Sequence, residues 1–238
     1  LSTNVPSTPG PIKTWCCSYW QPLLAEFIST AILIQMGCMT TIPFEGQNSA
    51  MYAPLGFGFV VLFNVQIFGH LSGAHMNSAV TLASVIWGKM SIVSGIAYFL
   101  AQCVGALAGY GLLSVLTPVD VVSGGICVTK PLAGMSALQT VGIEMGLTAV
   151  LSFLCCALWD PVNEDKQECV SIKFALVVAG LSMVGGPWTG ASMNPPRSLA
   201  PAIFTGIWTK HWAYWVGPLA GSSLATDKPT LTKCKTIQ

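Results

Sequence analysis

The chain has 238 residues, of which 53% are hydrophobic and only 8% charged. A soluble domain carries about 25% charged residues, so this chain cannot solvate a water-facing surface, which argues against a cytosolic enzyme, a disordered chain or a coiled coil. Net charge is +1 and the lysines form no basic block, so nucleic acid has no electrostatic reason to bind.

Residues 1–19, with Pro6, Pro9 and Pro11 among the first of them, read as a flexible tail. Long apolar stretches then recur at Trp20–Thr40, Met51–Gly69, Ser91–Leu116, Ala137–Leu158, Val170–Val184 and His211–Ala225. Most approach the roughly 20 residues a helix needs to cross a hydrocarbon core of about 30 Å. Lipid admits only helices and closed barrels, and these runs are continuous rather than alternating, which predicts helices. Most of the nine cysteines (Cys16, Cys17, Cys38, Cys103, Cys155 and Cys156) sit in apolar runs and read as small core hydrophobes, not as disulfides or metal ligands. With the N-terminus inside, Lys13, Lys89, Lys166, Lys173, Lys228, Lys233 and Lys235 fall on one side, and only Lys130 and Lys210 on the other. That excess places both termini in the cytoplasm.

Two apolar pieces are too short to cross. Ser78–Trp87 follows Asn77, and Pro195–Phe204 follows Asn194. Ten residues of helix cover roughly 15 Å, half a bilayer. Asn is a strong N-cap residue, and Pro195 stands at a first helical position, where a missing N–H costs nothing.

The two pieces repeat one unit. Asn194 minus Asn77 is 117, Gly190 minus Gly73 is 117, and Glu144 minus Glu26 is 118. Each half therefore holds three spans and one half-helix, over about 20–116 and 137–225. Three is odd, so the second half enters the membrane inverted, and its half-helix meets the first near the midplane. Non-helical backbone at that depth requires a water-filled cavity. Two facing helix N-termini, with Asn77 and Asn194 offering amides, would repel cations from its centre. Glu26 and Glu144 could be a proton relay, but accepting hydrogen bonds from the re-entrant backbone, with Gly73 and Gly190 at its turns, is the reading favoured here. No triad, metal-spaced or phosphate-loop constellation appears, so neither an enzyme nor a cofactor is expected.

These motifs resemble those of the aquaporin (major intrinsic protein) family: Ala25-Glu26-Phe27, Ser72-Gly73-Ala74-His75-Met76-Asn77, Ala101-Gln102 and Asn194-Pro195-Pro196-Arg197-Ser198. The resemblance covers about Trp20–Ala225. It implies an all-α membrane protein of six transmembrane helices and two re-entrant half-helices. It also implies a homotetramer in the cell membrane, with one pore per subunit passing water or small neutral solutes. The family's two Asn-Pro-Ala motifs become Asn77-Ser78-Ala79 and Asn194-Pro195-Pro196. Ser is acceptable at a first helical position, and a second Pro in the first turn gives up only an unpaired donor, so the pore is expected to survive. Pro201 should bend the second half-helix.

Aligned on the two Asn residues, the family's narrow outer filter falls at Phe57, Ser182, Ala191 and Arg197, the last being the chain's sole arginine. Strict water channels usually carry His where Ser182 stands. Ser182 and Ala191 are small, which widens the constriction enough for glycerol or urea. The Ser198 that follows the Arg is unlike bacterial-type glycerol facilitators, and Tyr214-Trp215 match the water type. The combination resembles the insect entomoglyceroporins. A strict water channel is the first alternative. The second is a non-conducting structural or regulatory subunit, because the sixth span has only about 15 residues before a tail at 226–238.

Overall fold

The computed structural model describes residues 11–46 and 49–226. Residues 1–10 of the tail expected at 1–19, and residues 227–238 of the one expected at 226–238, lie outside the described residues. Eight α-helices and one short 3-10 helix occur among those described. They are α1 (Pro11–Met39), α2 (Ser49–Ser72), α3 (Ser78–Trp87), α4 (Ile92–Leu116), α5 (Ala137–Trp159), α6 (Val170–Thr189), α7 (Pro195–Thr205) and α8 (Ala213–Thr226). The 3-10 helix spans Pro161–Lys166, between α5 and α6.

Five helices are long and apolar enough to cross a membrane: the Trp20–Met39 part of α1, the Met51–Ser72 part of α2, and all of α4, α5 and α6. The expected tail boundary at residue 19 does not hold. Helix α1 already begins at Pro11, in the first turn, where proline suits a helix, ahead of the apolar span from Trp20. The sixth span is α8, described from Ala213 to Thr226. Helix α7 continues through Pro201 as far as Thr205.

Local chemistry sets the boundaries. Ser91 caps α4 by accepting the Ser94 N–H, and Ser136 forms a reciprocal capping box with Gln139 at the start of α5. The two short helices end on left-handed glycines, Gly88 after α3 and Gly206 after α7.

Packing repeats in the two halves. Helix α1 packs on α4 and α2, α5 packs on α8 and α6, and α2 meets α6 across the halves. The α1–α4 and α5–α8 pairs approach until backbone meets backbone. A Cβ on Gly105 would strike the Phe27 carbonyl, and one on Gly221 would strike the Met145 carbonyl. Small residues let membrane helices gain van der Waals contact that lipid cannot offer. This close seat keeps α8 attached along its length. Near its end the Cys156 thiol reaches the Ala225 carbonyl at 3.9 Å, and Ser222 donates to Ala79 of α3 at 2.6 Å.

The cysteine reading needs one correction. Cys155 and Cys156 are buried free thiols, but Cys38 is disulfide-bonded to Cys127, with a Cα–Cα distance of 5.3 Å. Cys38 does sit in an apolar cluster with Ile34, Tyr110 and Leu113. Composition around one cysteine could not disclose its partner 89 positions away, in the loop between α4 and α5.

Candidate pore and filter

Helices α3 and α7 meet by their N-termini. The Asn77 side-chain amide donates to the Met193 carbonyl at 2.8 Å, and the Asn194 amide donates to the Met76 carbonyl at 2.7 Å. Each asparagine thus reaches across to the backbone just before the other, an exchange that maps onto itself under the 117-residue offset.

The chain leading to each asparagine takes the same strained path. Gly73, Ala74 and Met76 have φ of +82°, +46° and +52°, while Gly190, Ala191 and Met193 have +83°, +45° and +53°. Left-handed conformations are uncommon for residues with a Cβ, so side chains must hold them. Glu26 does so in the first half. Its carboxyl oxygens accept from the Ser72 hydroxyl at 2.6 Å, the His75 and Met76 N–H groups at 2.8 Å each, and the Gln102 amide at 2.8 Å. Glu144 does so in the second, accepting from the Thr189 hydroxyl at 2.6 Å, the Ser192 N–H at 3.0 Å and the Met193 N–H at 2.8 Å. Both carboxyls are fully buried. Water cannot reach these amides, so the carboxyl oxygens replace it.

Further supports escaped the sequence reading. Ser72 and Thr189 receive the Ala74 and Ala191 N–H groups, and Tyr98 and Tyr214 donate to the Ser72 and Thr189 carbonyls. The repeat offset would have revealed them, since 189 minus 72 is 117 and 214 minus 98 is 116.

The symmetry breaks at the caps. Asn77 accepts the Ala79 N–H at 2.8 Å. Asn194 caps nothing, contrary to expectation, because the matching residue is Pro196, which has no N–H, and its side-chain oxygen is buried without a partner. Ser78, Ala79, Pro195 and Pro196 are buried in the first turns and do not line the conduit described next.

One cavity of about 950 Å³ runs beside this junction. Its lining includes His70, Trp159 and Gln167, the junction residues Asn77 and Asn194, and Phe57, Ser182, Ala191 and Arg197. Gly73 and Gly190 also line it. The four residues expected at a filter therefore share one passage although they come from α2, α6, the re-entrant segment and α7. The Arg197 guanidinium lies 5.0 Å from the Phe57 ring centroid and donates to the Cys127 carbonyl at 2.6 Å. A guanidinium so placed is oriented by a ring face and a backbone oxygen. Among the described residues, no group of three or more His, Cys, Asp or Glu could hold a metal.

An inverted pair of three-helix units, with half-helices joined at the centre beside a cavity of this size, is the architecture of a membrane channel. The major intrinsic protein family model matches residues 13–226, and the chain belongs to that family. It is 38% identical to mouse aquaporin-4 over 216 residues, which is 89% of this chain and 67% of that protein. It is 37% identical to the lens fiber major intrinsic protein of Lithobates pipiens, over 87% of this chain and 79% of that one. Its fold matches the aquaglyceroporin from Plasmodium falciparum with a TM-score of 0.79 at 23% identity, covering 91% of this chain and 98% of the other.

Proposed function

We propose that the chain forms a passive channel for water and small uncharged solutes such as glycerol and urea, and excludes protons and ions. The observation that carries the reading is the small pair Ser182 and Ala191, which line the same conduit as Phe57 and Arg197. A seryl side chain leaves open the lumen that an imidazole would fill. Phe57 offers an apolar wall to the carbon face of a polyol, while Arg197 and neighbouring backbone offer polar contacts to its hydroxyls. Each asparagine amide has two N–H donors and spends one on the facing carbonyl, leaving one for a passing oxygen. The two helix N-termini and the guanidinium make that path unfavourable for cations. Glu26 and Glu144 act here as backbone supports.

The working form is a homotetramer in the cell membrane with both termini cytoplasmic. The lysine distribution supports that orientation. So does the Cys38–Cys127 bridge, which then falls on the oxidising outer side.

Vesicles carrying the purified protein should swell faster than empty ones under water, glycerol and urea gradients. Fast water flux with glycerol swelling equal to that of empty vesicles would instead establish a strict water channel, the reading favoured by the Tyr214-Trp215 pattern. Tetramers that pass neither would establish a non-conducting subunit.

A further inference from the structure

The filter arginine is held by backbone that a covalent bridge restrains. Arg197 Nη1 donates to the Cys127 carbonyl at 2.6 Å, and Cys127 is bridged to Cys38 in the last turn of α1. Cys127 has φ of +68°, a left-handed conformation that side-chain-bearing residues seldom adopt and that here accompanies a carbonyl directed at Arg197. Its neighbour is tied separately, since the Tyr110 hydroxyl donates to the Ile126 carbonyl at 2.9 Å. That bond anchors the loop but stops one residue short of the carbonyl that receives the guanidinium.

The same turn of α1 also seats the ring that the guanidinium lies over. The Phe57 ring lies against Gly37, where a Cβ would come within 2.5 Å of it. Gly37 and Cys38 are adjacent, so one turn of helix fixes both the ring under Arg197 and the loop whose oxygen orients it. A buried cation depends on both the distance and the direction of its few acceptors. A small swing of the Cys127 carbonyl would therefore let the guanidinium rotate within the passage.

We propose that Cys127 is a positioning residue of the filter: its disulfide with Cys38 fixes the carbonyl that orients Arg197, so the bridge sets the solute selectivity of the channel. This rests on the filter reading given above. The cysteines touch no permeant molecule and act through Arg197.

The test is the ratio of glycerol to water permeability in proteoliposomes. A loss of folded channels would lower both fluxes together and leave that ratio unmoved. Cys127→Ser changes a single half-buried atom and leaves Cys38 as a buried thiol, which apolar surroundings accept. The ratio is expected to shift by about threefold or more in Cys127→Ser and equally in Cys38→Ser, as befits loss of an oriented charge-assisted bond. Reduction of the reconstituted wild-type protein with a phosphine, with the freed thiols counted by labelling, should produce the same shift, and reoxidation should reverse it. Folded serine variants with the wild-type ratio would overturn the proposal, as would misfolded variants together with an unchanged ratio after reduction. Ser182→His, measured alongside, separates the two ideas. If it leaves the ratio unmoved, the filter reading itself fails. If it moves the ratio while the cysteine changes do not, only the role of the bridge fails.

Discussion

Pro196 leaves the side-chain oxygen of Asn194 without the donor that Ala79 gives Asn77. The two asparagines make the same exchange of amide bonds across the junction, so each serves as a comparison for the other. A buried acceptor without a partner costs about 1–3 kcal/mol. Proline offsets part of that by stiffening the unfolded chain, by about 0.4–1 kcal/mol. Pro196→Ala is therefore expected to stabilise the protein by up to about 1–2 kcal/mol, and Ala79→Pro to destabilise it by a similar amount. Thermal unfolding in detergent should move the two midpoints in opposite directions. Movement in the same direction would mean that the missing cap is not what distinguishes the halves.

Replacing Ser182 with His should lower glycerol permeability by about tenfold while water flux stays within about twofold, because the imidazole fills lumen that a polyol needs and a water molecule does not. Ser182 lines the passage opposite residues from three other segments, so the effect should depend on side-chain size. Ser182→Ala is expected to keep glycerol flux, since it adds no volume. Stopped-flow light scattering on the same vesicles reads both solutes. Equal loss of both fluxes in Ser182→His would remove Ser182 from the filter.

Glu26→Gln and Glu144→Gln test the supporting role against a proton relay. Each carboxyl faces only donors, so an amide nitrogen in its place must meet at least one buried N–H or hydroxyl. The expected loss is about 1–3 kcal/mol for each buried donor left unpaired. Glu26→Gln should be the more damaging, because Glu26 accepts four hydrogen bonds to three for Glu144. Low yields of folded protein from both variants would fit this account. Folded variants that lose only a proton current would favour the relay.

How much of this was readable beforehand depended on whether a signal was local or paired. The asparagines, the intramembrane glutamates and the half-helices recur at offsets of 117 or 118, and a repeat is visible in a single chain. Arg197 stood out by being the sole arginine. Cys127 carries no such mark, and its relation to Cys38 is created by the fold bringing the α4–α5 loop back over α1. The orphaned oxygen of Asn194 was missed for a different reason. Pro196 was judged by the helix donor it lacks, when the relevant loss was borne by the side chain two residues earlier.

Helix α8 should owe its attachment to one close seat. A Cβ on Gly221 would meet the backbone of Met145, which cannot move aside as a flexible side chain could. Gly105 meets Phe27 in the same way in the first half. Both glycine-to-alanine changes are expected to destabilise by about 2–3 kcal/mol through forced separation of packed helices. The comparison between them carries the argument. The added Cβ would meet a backbone carbonyl equally closely in the two halves, so the two changes should cost about the same. Gly142→Ala is the control, because nothing lies within 4 Å of the Cβ it would add. It should be neutral or slightly stabilising through better helix propensity. Thermal midpoints and the yield of folded protein decide the matter. If Gly221→Ala behaves like Gly142→Ala, α8 is held by something other than its approach to α5.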